Sequence, residues 1–351
     1  MNARSWLIAA CFLLPMPFAA EAQGYAGLGS RAEGFAIPRP NTPLKFPEDH
    51  GPHPDFRIEW WYLTANLQSA DGTKYGVQWT LFRSALAPGN EDGWQNPQIW
   101  MGHVAATSRD RHLFAERIAR GGTGQAGVTA QPFAAWIDDW QMQAQSDGIS
   151  ELNLTVQASD FHYNLNLKAE GPLVLHGTDG YSVKSDLGQA SYYYSQPDYQ
   201  VQGTLSLGNG PVKVSGSAWL DREWSSQPLA ADQSGWDWFS LSLDSGDRLM
   251  GFVLRGENGN FSSGTWIGTD GTVTGLAPGT FQAEPLETTT VAGREIPTRW
   301  HLVLEERDLS VEVQALNPQS WMGTQFSYWE GPVEVSGSHS GQGYLEMTGY
   351  E

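Results

Sequence analysis

Apolar residues recur at every second position along most of this chain, and that period commits it to β-structure. Leu152-Asn153-Leu154-Thr155-Val156 and Phe161-His162-Tyr163-Asn164-Leu165-Asn166-Leu167 each place their apolar side chains on one face, with Ala158-Ser159-Asp160 between them as the turn of a hairpin. The texture continues to the end, punctuated by turn signals such as Asp71-Gly72 and Gly208-Asn209-Gly210. No long amphipathic helix interrupts it; Ala115–Arg120 is the one segment read as a short helix.

The alternation is also duplicated. Trp60-Trp61-Tyr62 to Leu81, around Asp71-Gly72, matches Trp236-Asp237-Trp238-Phe239 to Leu254, around Ser245-Gly246. Trp100-Met101-Gly102 matches Trp266-Ile267-Gly268. The hairpin around Asp160 matches Leu302 to Val313 around Asp308, and Tyr193-Tyr194 leading to Gly203 matches Tyr328-Trp329 leading to Gly337. The four matches come in the same order in both halves. An antiparallel unit of this size must dispose of its sheet edges, which closing into a barrel achieves. The expectation is an all-β protein of two tandem lipocalin-like antiparallel β-barrel domains, at 46–207 and 208–351, with the boundary near Leu205–Pro211.

With 351 residues there is enough chain for two cores. The net charge of −19 repels polyanions, which argues against a nucleic-acid partner. Residues 1–22 read as a signal peptide. Arg4 supplies the positive charge, Leu7–Ala19 the apolar run, and Ala20-Glu21-Ala22 the small residues before cleavage. This implies a periplasmic or secreted protein, with cleavage after Ala22 favoured over lipoprotein anchoring at Cys11, the only cysteine. Residues 23–45 read as an extended leader. No segment of the mature chain has the apolar length of a transmembrane helix.

Three longer motifs resemble a known superfamily. Phe46-Pro47-Glu48-Asp49-His50-Gly51-Pro52-His53 with Glu59-Trp60-Trp61-Tyr62 is similar to the opening signature of the AttH-like and carotenoid 1,2-hydratase (hydroxyneurosporene synthase) superfamily. Ala218-Trp219-Leu220-Asp221-Arg222-Glu223-Trp224-Ser225-Ser226-Gln227, then Gly235-Trp236-Asp237-Trp238, resembles its central motif. Tyr328 to Val333 and Gly343 to Tyr350 resemble its C-terminal signature. The resemblance runs from Phe46 to Glu351 and implies two lipocalin-like domains. Its hydratase branch adds water to a terminal isoprenoid double bond, which needs an acid to protonate the alkene, aromatic faces for the cation and a positioned water. Asp221, Glu223 and Asp237, among Trp224, Trp236 and Trp238, are the candidate catalytic acids. Glu59 beside Trp60, Trp61 and Tyr62, together with Arg222, completes a candidate ligand-binding set. Arg222 stands where the hydratase branch carries histidine, and Phe252 and Leu254 stand where its Tyr and Asp fall. The resemblance is therefore closer to the exported AttH-like branch, which is associated with ABC-type export systems.

Each of these residues also has a structural explanation. Arg222 would bridge Asp221 and Glu223 as an ion-pair knot across the domain interface. Glu59 would accept hydrogen bonds in the core. Tyr192-Tyr193-Tyr194 would be strand and cavity wall. The spacing of His50, His53, His103 and His112 fits no standard metal-ligand set, and a solvated loop is expected around His50 and His53. No motif asks for a cofactor. Three functions follow: a carrier of a hydrophobic lipid or isoprenoid beside an ABC-type exporter, a hydro-lyase of carotenoid-hydratase type, or a ligand-free transporter partner. They differ in whether a cavity is open and where the carboxylates point.

Overall fold

The computed structural model describes residues 32–350. The signal segment expected at 1–22, Cys11 included, lies outside the described residues. Strands β1 (Ile58–Ser69), β2 (Lys74–Ala85), β3 (Gln98–Ser108), β4 (His112–Arg120), β5 (Ala126–Ala130), β6 (Phe133–Ile137) and β7 (Trp140–Ala144) are followed by β8 (Glu151–Gln157) and β9 (His162–Ala169). Then come β10 (Val174–Leu175), β11 (Tyr181–Val183), β12 (Ala190–Ser206) and β13 (Val212–Ser225), which finish the first sheet. The second sheet holds β14 (Gln233–Leu243), β15 (Arg248–Gly256), β16 (Phe261–Ile267), β17 (Val273–Leu276) and β18 (Gln282–Val291). It also holds β19 (Arg294–Leu304), β20 (Leu309–Ala315), β21 (Trp321–Met322), β22 (Tyr328–Gly337) and β23 (Gly341–Met347).

Both sheets follow one path. The first runs β4-β3-β2-β1-β13-β12-β9-β8-β7-β6-β5 and the second β17-β16-β15-β14-β23-β22-β20-β19-β18. Strand for strand, β1 answers to β14, β12 to β22 and β13 to β23. The fold is two lipocalin-like antiparallel barrel domains built from one repeated topology. The repeat also corrects the expected division at 207/208. β13 pairs with β1 from Ile58↔Ser225 to Ser69↔Val214, and with β12 on its other side, so it closes the first copy instead of opening the second. The sheets change over between Ser225 and Gln233. One sequence match slips at residue level: Trp100 and Trp266 lie on equivalent strands but different rows, opposite Arg83 and Leu249 respectively. Ala115–Arg120, expected as a helix, belongs to β4, where pairing with β3 outweighs local helix propensity.

Alternation gives each sheet two uses. Inward-facing side chains fill separate cores, around Trp61, Leu63, Trp79 and Leu220 in the first copy and around Phe239, Leu241, Trp300 and Trp329 in the second. Outward-facing residues of β1, β12 and β13 meet those of β14, β15 and β23 in a third cluster, with Tyr62, Tyr193, Trp219, Trp238, Phe252 and Tyr344 among its members. Each such large apolar side chain removed from water contributes roughly 1.5–3 kcal/mol, so the seam is a cohesive layer and not a loose contact. The sheets approach closely at Gly76, where a Cβ would lie 2.6 Å from both the Pro332 ring and the Tyr344 hydroxyl.

Candidate functional site

β13 decides which motif residues share a compartment. Consecutive strand residues point to opposite faces, so Trp219, Asp221 and Glu223 face the seam while Leu220, Arg222 and Trp224 face the first core. The register extends each row sideways: Tyr193, Glu223 and Trp60 form one, and Ser195, Asp221 and Tyr62 the next. The second copy repeats the arrangement, with Trp238 opposite Glu346 and Glu346 opposite Glu330. Asp221 and Glu346 are therefore equivalent positions of the two copies, both aimed at the seam.

Between them lies a cavity of about 200 Å³ whose wall includes Trp60, Tyr62, Tyr193, Trp236, Trp238 and Phe252, with Asp221, Glu223 and Glu346 among its polar groups. Asp221 accepts hydrogen bonds from Trp219 Nε1 at 2.6 Å, from the Tyr193 hydroxyl at 2.7 Å, and from the Ser195 hydroxyl. Trp238 Nε1 in turn donates to the Tyr193 oxygen at 3.1 Å. All these donors are neutral, and burial outweighs them, pushing the Asp221 carboxyl up to about 7. Burial likewise pushes Glu346 up to about 7, against a 2.6 Å bond from Trp236 Nε1. Glu330, beside the Tyr62 and Tyr328 hydroxyls, is driven well above the carboxylate range by burial and by the charge of Glu346. Glu223 differs. It accepts from the Ser191 hydroxyl and pairs at 2.9 Å with Lys184, whose ammonium lies over the rings of Tyr193 and Phe252.

Behind Asp221, Ser195 sits 2.6 Å from His176 Nε2, and His176 Nδ1 is 2.8 Å from the Thr265 hydroxyl. Burial pushes the His176 imidazole down to about 3, so it is neutral. Because the Ser195 proton goes to Asp221, Nε2–H is the tautomer that completes this chain.

Arg222 does not bridge Asp221 and Glu223, as the ion-pair reading required, because its neighbours in the strand point the other way. It lies inside the first barrel, 3.8 Å from the Trp61 ring centre, and bonds Glu59 Oε1 at 2.7 Å; Arg83 Nε reaches Oε2 at 3.0 Å. His53 stacks on Trp224 at 4.0 Å and reaches both Glu59, at 2.7 Å, and Asp49, at 3.2 Å. Burial opposes the Glu59 charge, yet His53, Arg222 and Arg83 hold its carboxyl far below the usual range. His50 is also buried and bonds the Tyr194 hydroxyl at 2.6 Å, so the loop expected to be solvated is a plug. Asp237 points into the second barrel, bonded to Arg255 and to the Tyr350 hydroxyl at 2.9 Å.

The sequence-predicted set thus divides by face. Trp60, Tyr62, Asp221, Glu223, Trp236 and Trp238 meet in the seam; Glu59, Trp61, Arg222 and Trp224 knit the first barrel; Asp237 belongs to the second. Tyr193 lines the cavity as its strand reading expects, whereas Glu330 and Glu346 lie within the C-terminal motif and only the strand register brings them to the seam. His176 and Lys184 carry no sequence signal, lying in irregular chain beside short strands.

A family model described as AttH-like matches residues 37–350. Among solved structures, an AttH protein of Nitrosomonas europaea aligns with TM-score 0.80 and 32% identity, over 90% of this chain and 100% of that one. Kievitone hydratase from Nectria haematococca aligns with TM-score 0.67 and 14% identity, over 91% of this chain and 98% of that one. CghA, solved with Sch210972, gives 0.52 and 14% identity over 84% and 89%. At that identity the last two share the fold alone. No curated protein matches the sequence.

Proposed function

The chain belongs to the AttH-like family, and from that premise we propose that it admits a hydrophobic, isoprenoid-like molecule to the seam and hydrates one of its double bonds there. The observation that carries this reading is the Asp221 carboxyl, titrating at about 7 in the wall of an aromatic cavity. A general acid needs a pKa near the working pH. Neutral Asp221 transfers its proton to one alkene carbon, leaving a tertiary cation on the other, and the faces of Trp60 and Trp238 stabilise that charge. A water molecule adds to the cation and loses a proton to the now ionised Asp221, which restores its neutral form. Glu223, held beside Lys184 in the same wall, is the group placed to orient that water. Kievitone hydratase, whose fold is shared, carries a hydratase name.

The departures at Arg222, Phe252 and Leu254 favour a second reading, a carrier that binds the same class of molecule without reaction. Placement beside an ABC-type exporter, like export itself, rests on the family resemblance and the N-terminal residues. One experiment separates the readings. Lipids extracted from purified protein are analysed by mass spectrometry, and the protein is then incubated with linear isoprenoids. Hydration expects a product heavier by one water, formed at least about a hundredfold more slowly by Asp221→Asn. A recovered apolar molecule with no such product leaves the carrier; recovery of neither overturns both.

A further inference from the structure

The cavity has an apolar continuation that runs out of the seam along the first sheet. Register places Trp60, Phe82, Met101 and Ile118 side by side across β1, β2, β3 and β4 on the seam-facing side. At about 4.8 Å per strand this row is roughly 14 Å long. Exposure grows along it: Trp60, Phe82 and Met101 are half-buried and line the cavity, while Ile118, next beyond, is 50% exposed. On one side lies a polar row, Tyr62, Thr80, His103 and Glu116; on the other lies a mixed row, Ile58, Ser84, Ile99 and Arg120. The segment after β21 docks beside it, Gln325 N donating to Glu116 at 3.1 Å, and brings Phe326 to the cavity wall.

Building on the reading above, we propose that this row is a tail subsite, and that the ligand is a single linear hydrocarbon chain longer than the enclosed cavity. Its reacting end lies at Asp221 and its tail passes Met101 to emerge over Ile118. An apolar row that continues across four neighbouring strands suits one extended acyl or isoprenoid chain laid along it. An open end sets no upper limit on tail length.

The test is the quenching of tryptophan fluorescence by ten-carbon geraniol and by twenty-carbon geranylgeraniol. The longer alcohol is expected to bind more tightly. Ile118→Glu, at a position exposed enough to leave the fold intact, is expected to weaken geranylgeraniol about tenfold and geraniol less than twofold, and Val273→Glu, on the far sheet, neither. Equal affinity for the two alcohols, or an equal loss of both in Ile118→Glu, overturns the tail subsite while leaving the seam as a binding site. If neither alcohol binds, the proposed function falls and the subsite with it.

Discussion

Asp221 keeps its proton because dehydration outweighs three neutral donors, and that balance has a measurable sign. The group titrates near 4 in an unfolded chain and at about 7 in the folded protein. Between those values the native state holds a proton that the unfolded state has released. The stability from this group is full below about pH 4 and declines as pH rises toward 7, by about 1.4 kcal/mol per pH unit. Asp221→Asn should remove that decline, and urea titrations at about pH 5 and pH 7 would show a smaller difference than in the parent protein. Glu346 has the same window, so the slope should lessen without vanishing. Glu59 is the opposite case. Its charge balances two buried guanidinium groups, and Glu59→Gln leaves them uncompensated. A loss of about 3–5 kcal/mol is expected in denaturant melts, with no dependence on any ligand.

At the scale of a strand, β13 carries most of the argument. Its alternation was legible in the sequence, and so were the seam residues Asp221 and Glu223. What a linear reading missed is that Arg222, between them, must face the other way, and that Asp237 is turned from Trp236 and Trp238 by the same rule. The boundary was misplaced for a related reason: turn signals at 208–210 mark a hairpin within the first sheet as well as they would mark a linker. His176 and Lys184 were invisible because they reach the site through tertiary packing, not through a strand motif. β13 also depends on Gly216. A Cβ there would sit 2.0 Å from the Asn66 carbonyl oxygen of β1, a backbone atom with nowhere to go. Gly216→Ala is expected to cost about 1–3 kcal/mol, and hydrogen exchange should locate the loosening in β1 and β13.

Over the whole molecule, one surface meets its own repeat. The same face of each copy, built from the first strand of the repeat and the last, packs against the other, as in an isologous dimer interface. Each copy has its own core, so residues 32–227 made alone are expected to fold and to self-associate through Trp60, Tyr62, Tyr193 and Trp219. Sedimentation equilibrium would show a dimer, and Tyr62→Glu a monomer.

Covalent fusion has freed the two sides of that interface to diverge. Asp221 has a serine, Ser195, as its row neighbour, whereas Glu346 has a second carboxyl, Glu330. The row that starts at Trp60 reaches solvent at Ile118, while its counterpart from Trp236 runs through Leu254 to Phe261 and stays buried. A true homodimer would accept a guest head-first from either side with equal ease. In this molecule the seam has a front and a back, and under the proposed function a guest would enter it only one way round.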